Sequence, residues 1–200
     1  MVGAKFAGRN LTGANLTGSN LTGADLFGAN LTGANLTGVN LSRTDLRQAT
    51  LAGANATDAV ITSANIDRTL LTPRPFTRLR SGGLVGTPQA TTSGTLVAGG
   101  HFIGPDVCLS GGNLTGAHLP GVNLSGMDLT RTNFTGALLT DADLARAKLT
   151  GANLGGANLT GANLTGANLT DATLAGANLT RVRLTGAEVA GVSLWNVRIE

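Results

Sequence analysis

Leucine returns every five residues along most of this 200-residue chain. The rhythm is purest from Gly151 to Thr170, GANLGGANLTGANLTGANLT, where one unit recurs nearly unchanged. The unit reads Ala, Asn or Asp, Leu, Thr or Ser, Gly. With the central Leu as reference, one phase runs from Phe6 and Leu11 to Leu71, with Ala56, Ile61 and Ile66 in place of Leu. A second runs from Leu109 or Leu114 to Ile199, and because it is offset from the first by three residues, an insertion separates them.

A period of five fits neither a helix, whose face repeats every 3.6 residues, nor a flat strand, whose face repeats every two. It requires a chain that turns a corner every five residues. Four such sides close a square coil of about twenty residues, and successive coils stack at the inter-strand spacing of about 4.8 Å. The central Leu and the small residue two before it point inward, and Asn, Thr and Gly face solvent. Gly suits the corner because a Cβ is costly there. Asn before the Leu can bond nearby main chain, and vertical stacks of Asn and Thr can form ladders on the outside. About eight coils make an all-β rod on the order of 40 Å long.

These residues resemble the pentapeptide repeat family, whose signature is A(D/N)LXX in tandem. The resemblance implies a right-handed quadrilateral β-helix. The insertion is similar to a segment of bacterial, especially actinobacterial, members: Ser81 to Pro88 reads SGGLVGTP and Leu96 to Pro105 reads LVAGGHFIGP. His101 stands where that segment commonly has Tyr.

The expected organisation is one continuous domain: a first repeat block over 1–72, an irregular Pro/Gly-rich insertion over 73–108, and a second block over 109–200. Pro73, Pro75, Pro88 and Pro105 cannot donate to a stacked ladder, so the insertion leaves the regular coil. Short β-like runs at Gly83 to Gly86 and Thr95 to Ile103 predict a hairpin or an irregular coil packed on the solenoid. Arg9 occupies an inward small-residue position, which leaves the first coil open at its end. That edge is either an association surface or a sign that the sequence starts within a longer protein. Near the other end Val189, Val192, Leu194, Trp195, Val197 and Ile199 predict a terminal cap or an interface.

Composition narrows the function. Apolar residues make up 42% and aromatics 3%, with no Tyr, which is unlike a conventional enzyme core. Two histidines, His101 and His118, and one cysteine give no metal set and no nucleophile–base pair. Asp141 and Asp143 are expected on an exposed side, where carboxylates lack the burial that acid–base work needs. Cys108 reads as a buried structural thiol. No catalytic residue, metal ligand or cofactor site is expected. No apolar run reaches the length of a membrane-spanning helix and MVGAKFAGRN has no signal-peptide core, so a cytoplasmic protein is expected.

What is left is a noncatalytic scaffold that binds a protein partner or itself. Candidate interaction residues are the arginines Arg68, Arg74, Arg78 and Arg80, which could meet phosphate or an acidic partner, and Trp195 at an outward position. The resemblance also implies an alternative, DNA mimicry at DNA gyrase that confers inhibitor resistance. Mimicry needs acidic stripes, and this chain carries 14 basic and 11 acidic residues, a net charge of +3. Direct nucleic-acid binding is disfavoured too, because the cations are dispersed and lack interleaved aromatics.

Overall fold

A computed structural model of the chain describes residues 1–71, 78–88, 96–103 and 107–199. It divides into two compact units, Met1–Val107 and Cys108–Glu200. No helix occurs among the described residues, and none is long and apolar enough to cross a membrane.

Both units are built from the same five-residue turn. In Leu11–Ala14 the Ala14 N–H donates to the Leu11 carbonyl at 3.0 Å, and Gly13 sits at φ 66°. Of the two central turn residues only the second has positive φ, which is the signature of a type II turn. One unit later the chain turns again. After four turns it lies over its own start: Lys5 pairs with Asp25, Asn10 with Asn30, and Asn113 with Asn133, all in parallel. The coil therefore has four sides and the twenty-residue pitch that the sequence predicts.

Each letter of the repeat has a backbone reason. The central residue's N–H donates upward to the next coil (Leu11 to Asn30 O, 2.7 Å), as does the corner residue's (Gly13 to Thr32 O, 2.9 Å). The residue before the centre donates downward (Asn30 to Arg9 O, 3.0 Å), and the small inward residue closes the turn. One N–H is left over, that of the residue after the centre. The Asn side chain takes it: Thr12 N donates to Asn10 Oδ1 at 3.1 Å, and the Thr12 hydroxyl donates to the same oxygen at 2.6 Å. All five N–H groups of a repeat are thereby paired, as unhydrated backbone requires. The predicted vertical Asn and Thr ladders are mostly replaced by these bonds inside each repeat. A cross-coil exception is the Thr62 hydroxyl donating to Ser42 Oγ at 2.8 Å.

The core is a column of Leu with Ala fitted between. Leu21, Leu26, Leu31 and Leu36 in the first unit, and Leu144 to Leu169 in the second, are 0% exposed. Thr replaces Ala at 44, 69 and 132, and each buried hydroxyl donates to a carbonyl at 2.7 Å, of Leu41, Leu46 and Leu109 respectively. Cys108 corrects the expectation of burial. It precedes Leu109, so it takes the outward Asn position and is only half-buried.

In the first unit β1 (Val60–Thr62) and β2 (Leu79–Gly82) pair in parallel, Val60 opposite Arg80. The coil register thus continues past residue 73, and Val85 still pairs with Asn65. What changes is the filling: Ser81 stands opposite Ile61, in a place that Leu or Ile fills elsewhere. The core there is completed by the antiparallel hairpin β3 (Leu96–Ala98) and β4 (His101–Ile103). Phe102 and Ile103 are fully buried, and the Phe102 N–H donates to Ser81 Oγ at 2.9 Å. Gly99 and Gly100 both have positive φ, as a two-residue type I′ turn requires. The final short strand is β5 (Val107–Cys108).

Not every corner is Gly. Twelve described corner residues other than Gly hold φ between 54° and 60°, including Arg43, Gln48, Asp58, Arg68, Arg131, Asp141, Arg146 and Asp171. At most Gly corners an added Cβ would meet nothing within 4 Å, so a side chain meets solvent and only the backbone conformation is unfavourable. Leu154→Ala is expected to destabilise the protein by about 2–5 kcal/mol, and Gln48→Gly to stabilise it by about 0.5–1 kcal/mol. Urea melts of the two variants against the parent check both signs.

Candidate functional site

Because the coil has four sides, residues twenty apart share a face. In the first unit one side gathers Lys, Asp, Phe and Arg at positions where the repeat ordinarily has Asn and Thr. Before the centres stand Lys5, Asp25, Asp45 and Asn65, stacked by consecutive parallel bridges. After the centres stand Ala7, Phe27, Arg47 and Asp67. On two of the other sides the same positions hold Thr12, Thr32 and Ala52, and Thr17, Thr37 and Thr57. Arg43 and Arg68 flank the charged side at its corners.

The groups on this side are tied together. Arg47 grips Asp45 through Nε to Oδ1 at 2.9 Å and Nη2 to Oδ2 at 2.6 Å. Its guanidinium also lies over the Phe27 ring, 5.4 Å from the centroid, within cation–π range. Lys5 lies 3.8 Å from Asp25. Phe27 is 38% exposed, so a large apolar ring meets solvent among charges of both signs. Hydrogen bonding from Arg47 holds the Asp45 carboxyl below the usual carboxylate range, against a smaller opposing effect of desolvation.

The arginines named from the sequence do not come together. Arg78 stacks on Asp58 and pairs with it, Nε to Oδ1 at 2.6 Å and Nη2 to Oδ2 at 2.5 Å. That pairing lowers the Asp58 pKa, with a further contribution from Arg80, which is exposed on β2. Arg68 belongs to a corner two sides on from that of Asp58 and Arg78, diagonally across the square. It lines a shallow groove with Gln48, Asp67, Thr87 and Pro88. Arg74 lies outside the described residues. Trp195 is in the second unit, 77% exposed.

The local pattern singles out Arg68 but not the alignment of Asp45, Arg47 and Asp67 with Lys5, Asp25 and Phe27. Reading only every twentieth outward residue would have found it. Among the described residues no group of His, Cys, Asp and Glu could hold a metal ion.

Coil, core and surfaces together define a four-sided β-solenoid repeat protein whose chemistry lies on its sides. The chain belongs to the pentapeptide repeat family: the model for pentapeptide repeats matches residues 1–38, 40–72 and, in overlapping copies, 108–196. Among solved structures it is similar to HetL, a pentapeptide repeat protein involved in heterocyst differentiation regulation from Nostoc. The two share 30% identity over 96% of this chain and 73% of that one, at a TM-score of 0.36. It is similar to a pentapeptide repeat protein of the Arabidopsis thaliana thylakoid lumen, 35% identical over 45% of this chain and 59% of that one, TM-score 0.37. QnrB1, a plasmid-mediated fluoroquinolone resistance protein, is 17% identical over 98% of this chain and 92% of that one, TM-score 0.33. No curated protein matches the chain significantly.

A pH test isolates the central ion pair. A carboxyl whose folded-state pKa is depressed stabilises the fold above its unfolded pKa and loses that contribution as pH falls through the depressed value. Asp45→Asn should therefore lower the melting temperature relative to the parent at pH 7. The difference should narrow as pH falls below the usual carboxylate range, and at neutral pH it should shrink in about 1 M salt, where the Debye length is about 3 Å.

Proposed function

We propose that the protein is a noncatalytic scaffold that docks a protein partner on the charged side of its first unit. One observation carries this reading: Phe27, Arg47 and Asp45 form a preorganised aromatic and guanidinium anchor on the side where the repeat's outward residues become large and charged. Aromatic and Arg side chains dominate binding hot spots, and a guanidinium already fixed by a carboxylate loses less freedom on binding. The flanking Asp25, Asp67, Lys5 and Arg68 supply both charges, which sets partner choice and register more than affinity. A stack of hydrogen-bonded coils holds these groups at fixed spacing and offers a flat side, the geometry of a protein interface rather than of a substrate pocket.

The test restores the repeat's own residue. Phe27→Thr with Arg47→Thr should leave the fold intact and remove a partner that the parent retains when both are used as parallel baits. Equal retention by parent and double variant, or turnover of any substrate by the purified chain, would overturn the proposal. The net charge of +3 also predicts no effect on DNA gyrase supercoiling at micromolar protein. Inhibition there would favour DNA mimicry instead.

A further inference from the structure

The second unit has a different side on which the repeat's rule is broken, independently of the anchor above. The positions before its centres are Asn123, Asp143, Asn163 and Arg183, linked by parallel bridges. After the centres come Ser125, Ala145 and Thr165, and the adjoining corner column is Gly126, Arg146, Gly166. Small residues at most of these places leave a shallow groove of about 640 Å³, lined also by Arg146 and Arg183.

The two arginines come from positions 37 apart in sequence and line one groove only because the coil repeats every twenty residues. Neither forms an ion pair among the described residues. Arg146 takes a corner at φ 57°, and its stem rests beside Gly166, whose added Cβ would lie 3.5 Å from Arg146 Cγ. The one carboxylate in the groove, Asp143, is engaged internally: its Oδ1 accepts from Ala145 N at 3.1 Å and from Asn163 Nδ2 at 2.9 Å. The groove is thus left with two unpaired guanidiniums against one partly compensated carboxylate. It crosses successive coils, and its floor is too shallow to enclose a small molecule.

We propose that this groove binds an extended acidic segment of a partner protein, with Arg146 and Arg183 each taking a carboxylate. Guanidinium matches carboxylate in charge and planar geometry, and an extended strand presents side chains on one face every second residue. Duplex DNA fits less well, since phosphate tracking needs a longer cationic stripe than two arginines with an Asp between them.

Four substitutions test it, one of them a control outside the groove, each installing a residue the repeat ordinarily uses at that place, so the fold is retained. A fluorescent deca-glutamate peptide, read by anisotropy at low salt, serves as the probe. Arg146→Gly, which also relieves the corner conformation, and Arg183→Asn should each weaken binding by about five- to tenfold. Asp143→Asn should tighten it by about twofold, because it removes the carboxylate that lines the groove. Arg131→Gly, the same change at a corner outside the groove, should have no effect beyond the loss of one distant charge.

Equal losses at Arg131 and Arg146 would overturn the proposal, since attraction would then be general. Weaker binding in Asp143→Asn would overturn it as well, as would a labelled DNA duplex that outcompetes the peptide and responds to Arg146→Gly. Melting temperatures at or above that of the parent for Arg146→Gly exclude misfolding as the cause of a loss. The anchor variant Phe27→Thr, Arg47→Thr leaves this probe's binding unchanged, which keeps failure of one site distinct from failure of the other.

Discussion

Everything in this molecule depends on a type II turn repeated every fifth residue, because that turn lets the described residues, which form no helix, satisfy their backbone. In a repeat with Asn before its centre, three N–H groups go to neighbouring coils, one closes the turn and one goes to the Asn side chain. Take away the turn and the coil cannot come back over itself after twenty residues. Take away the Asn and one donor per repeat must find water. The inter-coil bonds are uniform, close to 2.7–3.0 Å, and neighbouring coils support one another as in other repeat architectures.

The same arithmetic explains where function can reside. A stack of coils presents its outward side chains on flat sides, and the chemistry of the described residues comes from what stands there. Asn and Thr, bonded to one another within each repeat, make a side nearly inert. Chemistry enters where those letters change, and positions twenty apart change together in space. The anchor of Phe27, Arg47 and Asp45 and the groove of Arg146 and Arg183 are both products of that stacking. The corner charges add a second pattern. A side chain at one corner leans toward the next coil's corner, and there Gly often follows, as Gly151 follows Arg131 and Gly166 follows Arg146.

The insertion shows how the column tolerates a defect. Ser81 is too small for a central place, and the β3–β4 hairpin supplies Phe102 and Ile103 to the core in compensation, fastened by the Ser81 hydroxyl. A polar residue at the centre is acceptable because its oxygen receives a backbone donor, just as the buried Thr44, Thr69 and Thr132 hydroxyls each reach a carbonyl.

The sequence by itself determined the coil, since a five-residue period of Leu with Gly two residues later admits few backbone paths and prescribes which residues are buried. It also determined that Trp195 would face outward. Local pattern could not determine which side each outward residue joins. That depends on position counted modulo twenty, so Phe27 and Arg47 look unrelated in sequence and touch in space, whereas Arg68 and Arg78 look clustered and stand at opposite corners. Only the closed coil decides this, because it is the stacking of one turn on the next, and not proximity along the chain, that brings charges within reach of each other.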